Sequence, residues 1–256
     1  MGLRADNLSV NYEMQRVLKG VDVVLPKGRV TAVIGPNGCG KSTFLRALGG
    51  LLRPERGRVS LDGEDLASLS PAHLARRLGL LPQAPLAPEG LRVGELVARG
   101  RLPWLRRFRP LSAKDHEAIT RAMVATDIEA LRERPVEALS GGQRQRVWIA
   151  MVLAQDTGWQ LFDEPTTWLD LRHQLEVLRL VQRLNRCEGR SVVMSLHDIS
   201  LAARFADHIV ALRDGRLVAE GPPADVITPE GLLRIFDLEA DVMTDPHHGT
   251  PLVLPR

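Results

Sequence analysis

The residues best suited to chemistry form one run, Gly35-Pro36-Asn37-Gly38-Cys39-Gly40-Lys41-Ser42-Thr43. It fits G-x-x-x-x-G-K-[ST], the spacing of a phosphate cradle. Glycines allow positive φ and let backbone N–H groups approach phosphate oxygens that a Cβ would push away. A helix opening near Ser42 adds unpaired amides and the positive end of its dipole. Lys41 supplies a point charge for the β- and γ-phosphates, and the Ser42 hydroxyl is suited to Mg²⁺. An ordinary glycine-rich turn requires neither Lys nor Ser at those offsets.

Two further groups carry chemistry. Asp163-Glu164 closes an apolar run, Trp159-Gln160-Leu161-Phe162, in which Gln160 breaks the usual aliphatic character. Paired carboxylates there are costly to bury unless a cation or a reaction uses them. Beside a phosphate cradle, Asp163 is the expected Mg²⁺ ligand, leaving Glu164 to orient and deprotonate a water in line with the γ-phosphorus. The third group is Ser140-Gly141-Gly142-Gln143, a hydroxyl and exposed amides at a helix start. Alone it is a good N-cap; it is also a second anion-binding terminus.

The elements that must position these groups are strands alternating with helices. Residues 30–34 read as a buried strand into the cradle and 44–48 as the helix out of it. Strands are expected at 4–10, 21–25, 57–61, 79–82, 159–162 and 191–195, with hairpin turns at Asp62-Gly63 and Asp214-Gly215. Ser70-Pro71 starts a helix to about residue 77, and Ser112 with Asp115 caps one at 114–126. Ser140 caps a helix to 154, and another runs 171–187. The tail after Gly221 is proline-rich with one helix, 230–236. This pattern predicts an α/β protein with a mostly parallel sheet, N-terminal antiparallel strands and a helical insertion. Residues 1–83 and 155–256 form the core, and 84–154 form the helical part.

At 256 residues and 44% hydrophobic, with mean hydropathy −0.08, the chain can bury a substantial core. No apolar run approaches the roughly 18 residues a bilayer requires. The first residues lack a secretory apolar stretch, so a cytosolic protein is expected. Net charge is +3, too small for a nucleic-acid footprint. Two cysteines, Cys39 and Cys187, make no disulfide framework and suit a reducing compartment.

With Leu139-Ser140-Gly141-Gly142-Gln143 beside the other motifs, the chain closely resembles the ABC family of ATPases. The cradle is similar to the family's Walker A loop, Gln83 to its Q-loop, and 139–143 to its signature. Asp163-Glu164-Pro165 resembles the Walker B end, Thr167-Trp168-Leu169-Asp170 the D-loop and His197 the H-loop, each in the family's order. The resemblance implies a head-to-tail homodimer in which each ATP lies between one subunit's cradle and the other's Ser140–Gly142 terminus. It implies that His197 contacts the γ-phosphate, that Gln83 joins the Mg²⁺ ligands and the catalytic set, and that Asp170 reaches across the dimer. Tyr12, the sole tyrosine, matches the aromatic position that stacks on adenine. Stacking is worth roughly 1–3 kcal/mol and accepts any base.

Arg99-Gly100-Arg101, residues 147–151 and 170–178, and Asp245-Pro246 with 249–253 resemble the ATPase subunits of bacterial iron–siderophore, haem and cobalamin importers, the siderophore group most nearly. That implies a peripheral protein on the cytoplasmic membrane face, an integral permease, and a substrate-binding protein engaged indirectly. The rival is a soluble ABC ATPase acting on DNA or ribosomes; the short helical insertion and single copy of each motif argue against it. Arg99, Arg101, Arg106, Arg107 and Arg109 around Trp104 are expected to form a basic patch facing the permease. Cys39, at a helix start beside Lys41, is expected to be a reactive thiol of lowered pKa. His173 is expected at the surface, and His247-His248 to be solvated.

Overall fold

Short apolar runs bounded by turn residues become the central strands, and alternation along each one sends its side chains into two different cores. The computed structural model describes residues 2–12, 15–105, 110–167 and 169–256. In chain order the first elements are β1 (Leu3–Tyr12), β2 (Gln15–Leu25), β3 (Val30–Ile34), α1 (Lys41–Leu48), β4 (Arg56–Leu61) and β5 (Glu64–Asp65). Then come α2 (Pro71–Ala75), β6 (Leu78–Leu81), α3 (Val93–Ala98), α4 (Ala113–Ala125), α5 (Gly141–Ala154) and β7 (Trp159–Phe162). The rest are α6 (Leu171–Glu188), β8 (Ser191–Ser195), α7 (Ile199–Phe205), β9 (His208–Arg213), β10 (Arg216–Gly221), α8 (Pro223–Val226), α9 (Pro229–Phe236), β11 (Ala240–Thr244) and β12 (Pro251–Pro255).

The main sheet has the order β10-β9-β3-β8-β7-β6, parallel except for the β9–β10 hairpin at its edge. A second, antiparallel sheet runs β2-β1-β4-β5. Val30, Ala32, Ile34, Val192 and Met194 face a core shared with α3–α7, while Val33, Leu161 and Val193 face α1 and the antiparallel sheet. Two fully covered faces explain why β3, β7 and β8 are buried throughout. The expected α/β architecture, with its antiparallel N-terminal strands, is present. The helices α3, α4 and α5 pack on one another, and their apolar residues join the sheet's core in one contiguous cluster.

Several elements lay beyond the sequence reading. β2 begins at Gln15, because pairing with β1 holds polar residues such as Arg16 in the ladder. α7 is only seven residues long, too short for a clear helical period, and is started by the Asp198 side chain accepting from Leu201 N–H at 2.8 Å. The hairpin β11–β12 is flanked by Pro and Gly, which conceal it. Conversely, the expected caps at Ser70, Ser112 and Ser140 are all made.

Arg101 corrects the expected basic patch. It is 5% exposed, donates from Nε to Asp115 at 2.8 Å and from Nη1 to the Ala154 carbonyl at 2.9 Å. Asp115 is held at a pKa of about 2 by its hydrogen bonds with Ser112 and by Arg101. Nearby, Trp104 Nε1 donates to Gln155 O at 2.7 Å, with the Arg76 and Arg101 guanidiniums over its ring. Gln155 in turn donates to the carbonyls of Ala75 and Leu78. Arg101 therefore bolts the C-terminal end of α5 and has no face to offer a partner. Arg99 is exposed; Arg106, Arg107 and Arg109 lie outside the described residues, as does Trp168.

Candidate active site

The cradle follows β3, and its backbone needs glycine at two points. Gly35 has φ +147°, and a Cβ there would stand 2.0 Å from the Leu212 carbonyl oxygen. Gly40, at φ +106°, is the N-cap of α1. Pro36, Asn37 and Gly38 lie outward, and Thr43 is buried. Lys41 is 5% exposed, with Nζ donating to the carbonyls of Gly35 at 2.8 Å and Pro36 at 3.1 Å. A buried ammonium held only by neutral carbonyls keeps most of its charge available to an anion.

Cys39 corrects a second expectation. Its thiol is buried among the apolar residues beneath α1, and that burial pushes its pKa up despite Lys41 nearby. Desolvation disfavours the thiolate more than the lysine favours it. Cys39 shapes the cradle's underside, its thiol sealed from solvent and harder to ionise than a free one.

The carboxylates lie at the C-terminal end of β7, where ligands collect on parallel sheets. Asp163 Oδ1 accepts from Ser42 Oγ at 3.0 Å and Ser195 Oγ at 2.9 Å. Its Oδ2 is buried without a partner, and burial raises the carboxyl's pKa despite the two serines. A buried carboxylate with one bare oxygen, joined to a hydroxyl from the cradle, suits a hard cation. Mg²⁺ takes few protein ligands and completes its shell with water and phosphate. Among the described residues no cluster of three or more His, Cys, Asp or Glu side chains could hold a metal, so beyond Asp163 and Ser42 the rest of the shell would fall to water and phosphate oxygens.

Glu164 has φ +52°, strain worth about 1–3 kcal/mol in a residue other than glycine. Its N–H donates to Ser195 Oγ at 2.7 Å. The side chain is 9% exposed: Oε2 accepts from Gln83 Nε2 at 2.6 Å and Thr167 Oγ1 at 2.9 Å, and Oε1 lies 2.7 Å from His197 Nε2. Burial opposes its charge, but the bonds from Thr167, His197 and Gln83 prevail and hold it below the usual glutamate range. Glu164 is thus ionised at neutral pH, as a proton acceptor must be. Gln83 reaches this carboxylate, and its described hydrogen bond does not go to Asp163. Sequence reasoning missed Ser195 and gave Thr167 no role beyond its place in the D-loop motif; the only hint of Ser195 was a polar residue ending a buried strand.

The second group lies apart, with no side-chain hydrogen bond to the first among the described residues. Ser140 and Gln143 satisfy each other in a capping box, Gln143 N–H donating to Ser140 Oγ at 3.3 Å and Ser140 N–H to Gln143 Oε1 at 3.2 Å. Ser140 and Gly141 are exposed, and nothing lies within 4 Å of a Cβ built on Gly141. Asp170, also exposed, caps α6. Tyr12 ends β1 with 40% of its surface open. His247 and His248 are exposed, as expected.

A phosphate cradle, a cation-ready aspartate and an ionised glutamate at the ends of parallel strands define a phosphate-loop nucleoside triphosphatase. Residues 18–167 match the ABC transporter family, and the chain belongs to it. It is 48% identical over 253 residues to the ferric enterobactin transport ATP-binding protein FepC of Escherichia coli (strain K12), covering 99% of this chain and 93% of that one. To the hemin import ATP-binding protein HmuV of Nocardia farcinica (strain IFM 10152) it is 45% identical, covering 99% and 87%. Among solved structures it resembles one described as a metal-chelate type ABC transporter in an inward-facing conformation (TM-score 0.85, 28% identity, covering 99% and 96%). It also resembles the dimeric cassette MJ0796 bound to ADP and Pi after hydrolysis (TM-score 0.75, 29% identity, covering 86% and 98%). As a member of this family the chain is an ATP hydrolase. No helix of the described residues is long and apolar enough to cross a membrane.

Proposed function

We propose that this chain powers the uptake of a ferric siderophore or a related iron chelate, haem or cobalamin. It would act as a peripheral subunit on the cytoplasmic face of a membrane permease that a substrate-binding protein loads. What carries the cargo reading is full-length similarity to ATPases named for such cargo, among them FepC. No residue of this chain is assigned to cargo contact, so cargo chemistry belongs to the partners. The rival, a soluble ATPase working on DNA or ribosomes, has no observation in its favour.

In the proposed reaction the amides of 35–43 and Lys41 hold the β- and γ-phosphates, and Tyr12 stacks on the base. Ser42 and Asp163 would hold Mg²⁺, which supplies charge neutralisation on the phosphates when bound. Glu164 accepts a proton from the attacking water, while Gln83, Thr167 and His197 fix the direction of its carboxylate. A second copy lends Ser140, Gly141, Gly142, Gln143 and Asp170 to the γ-phosphate side. The helical part, residues 84–154, carries this closure to the permease.

Isolating the ATPase with its membrane partners and assaying it with loaded binding protein tests the reading. Chelate-stimulated hydrolysis together with uptake supports it. Nucleic acid retained in moderate salt, with no membrane partner, sinks it.

A further inference from the structure

Asp170 and Gly142 belong to separate segments, and one imidazole touches both. The Asp170 carboxylate accepts the His173 backbone N–H at 3.0 Å, and His173 Nδ1 lies 2.9 Å from each of its oxygens. On its other side the ring lies on the first turn of α5. A Cβ built at Gly142 would stand 2.9 Å from His173 Cδ2 and 3.1 Å from Cγ. Gly142 is buried, and its missing side chain is what gives the ring its seat. His173 keeps 35% of its side chain open, at the surface as expected, with its ring held between the two segments.

We propose that His173 is a positioning residue that clamps the Asp170 segment to the glycine end of α5, so that both reach a neighbouring subunit's nucleotide as one rigid piece. The proposal rests on the shared-site reading given above. Without the ring, the exposed Asp170 carboxylate keeps one bond, from the His173 N–H, and the serine–glycine turn keeps only its capping box, which leaves the two segments free to shift relative to one another. One aromatic ring fixed to both removes that freedom before the subunits meet, which lowers the cost of closing. Asn is the nearest replacement. Its Cγ, Nδ2 and Oδ1 occupy the places of the ring's Cγ, Nδ1 and Cδ2, keeping the bond to Asp170 and the contact with Gly142. Leu keeps only bulk.

The test uses permease complexes carrying two differently tagged copies of the full chain, one of them Lys41→Ala, so that only the other copy's cradle retains ATP. Photolabelling with azido-ATP reads that intact cradle. His173→Ala on the Lys41→Ala copy should lower labelling about tenfold, the worth of a bond to a charged group, whereas the same change on the intact-cradle copy should alter it less than twofold. His173→Asn should recover labelling to within about threefold and His173→Leu should not. Equal loss from either copy, or a Leu variant as good as Asn, overturns the proposal in favour of simple packing. Ser140→Arg is run in the same two placements. If it too ignores which copy carries it, the shared-site reading has failed, and not His173 alone.

Discussion

At the opening of α1 the lysine is buried against the Gly35 and Pro36 carbonyls, and the serine is hydrogen-bonded to an interior aspartate that Ser195 also holds. At the opening of α5 the serine and first glycine are exposed, and only a capping box satisfies them. Both termini carry the same anion-binding amides and dipole. They differ in what the chain built behind them. The first is backed by buried hydrogen bonds within the chain, with Asp163 Oδ2 left bare for a cation. The second is finished only as a helix cap, so any catalytic use of it depends on what another molecule brings.

Glu164→Gln should break the first half most severely. Turnover is expected to fall by roughly 10²–10⁴ while ATP stays bound and the subunits stay closed, read by steady-state hydrolysis and by sizing with ATP. Because Glu164 is held below the usual glutamate range, the acid limb of the wild-type pH profile should lie beneath that range. An acid limb within it would show that the Thr167, His197 and Gln83 bonds are not holding the charge.

Next in size is Arg101→Ala, which bears on the far end of α5. Removing one partner of a buried ion pair costs about 3–5 kcal/mol, so chemical denaturation should reveal a large loss of stability. If stability holds, α5 is not bolted there and its exposed opening is not a fixed platform. Gly142→Ala sharpens the second half: the added Cβ meets His173, and overpacking of this kind costs roughly 1–3 kcal/mol. Hydrolysis should fall by tenfold or more while the affinity of an isolated subunit for ATP is unchanged, measured by titration calorimetry.

Asp163→Asn has a smaller and opposite effect on stability. A carboxyl whose pKa is raised on folding keeps its proton longer in the folded state, so stability falls as pH climbs through the carboxylate range. Without Mg²⁺ and nucleotide, the variant should therefore be more stable than wild type at pH 7, with the gap closing in acid, read by thermal melting across pH. Its hydrolysis should be lost all the same. Least is expected of Cys39: at neutral pH a maleimide should label the exposed Cys187, spare Cys39 and leave hydrolysis intact.

Much of the first half-site was legible because it depends on fixed offsets along one segment. Gly35, Gly40, Lys41 and Ser42 act through a single turn, and Asp163-Glu164 announces itself by ending an apolar strand. What Ser195 and Thr167 do was not legible. Their roles come from β8 lying beside β7 and from the sharp turn at Glu164, contacts between residues that no local pattern relates.

From sequence alone came the cradle, the caps at Ser112 and Ser140, the central strands and the family likeness, since each follows from spacing within a few residues. Only the tertiary structure decided that Arg101 points inward, that Cys39 is sealed beneath α1, and that His173 spans two segments. Burial and partnership are properties of neighbours, and a chain acquires its distant neighbours only by folding.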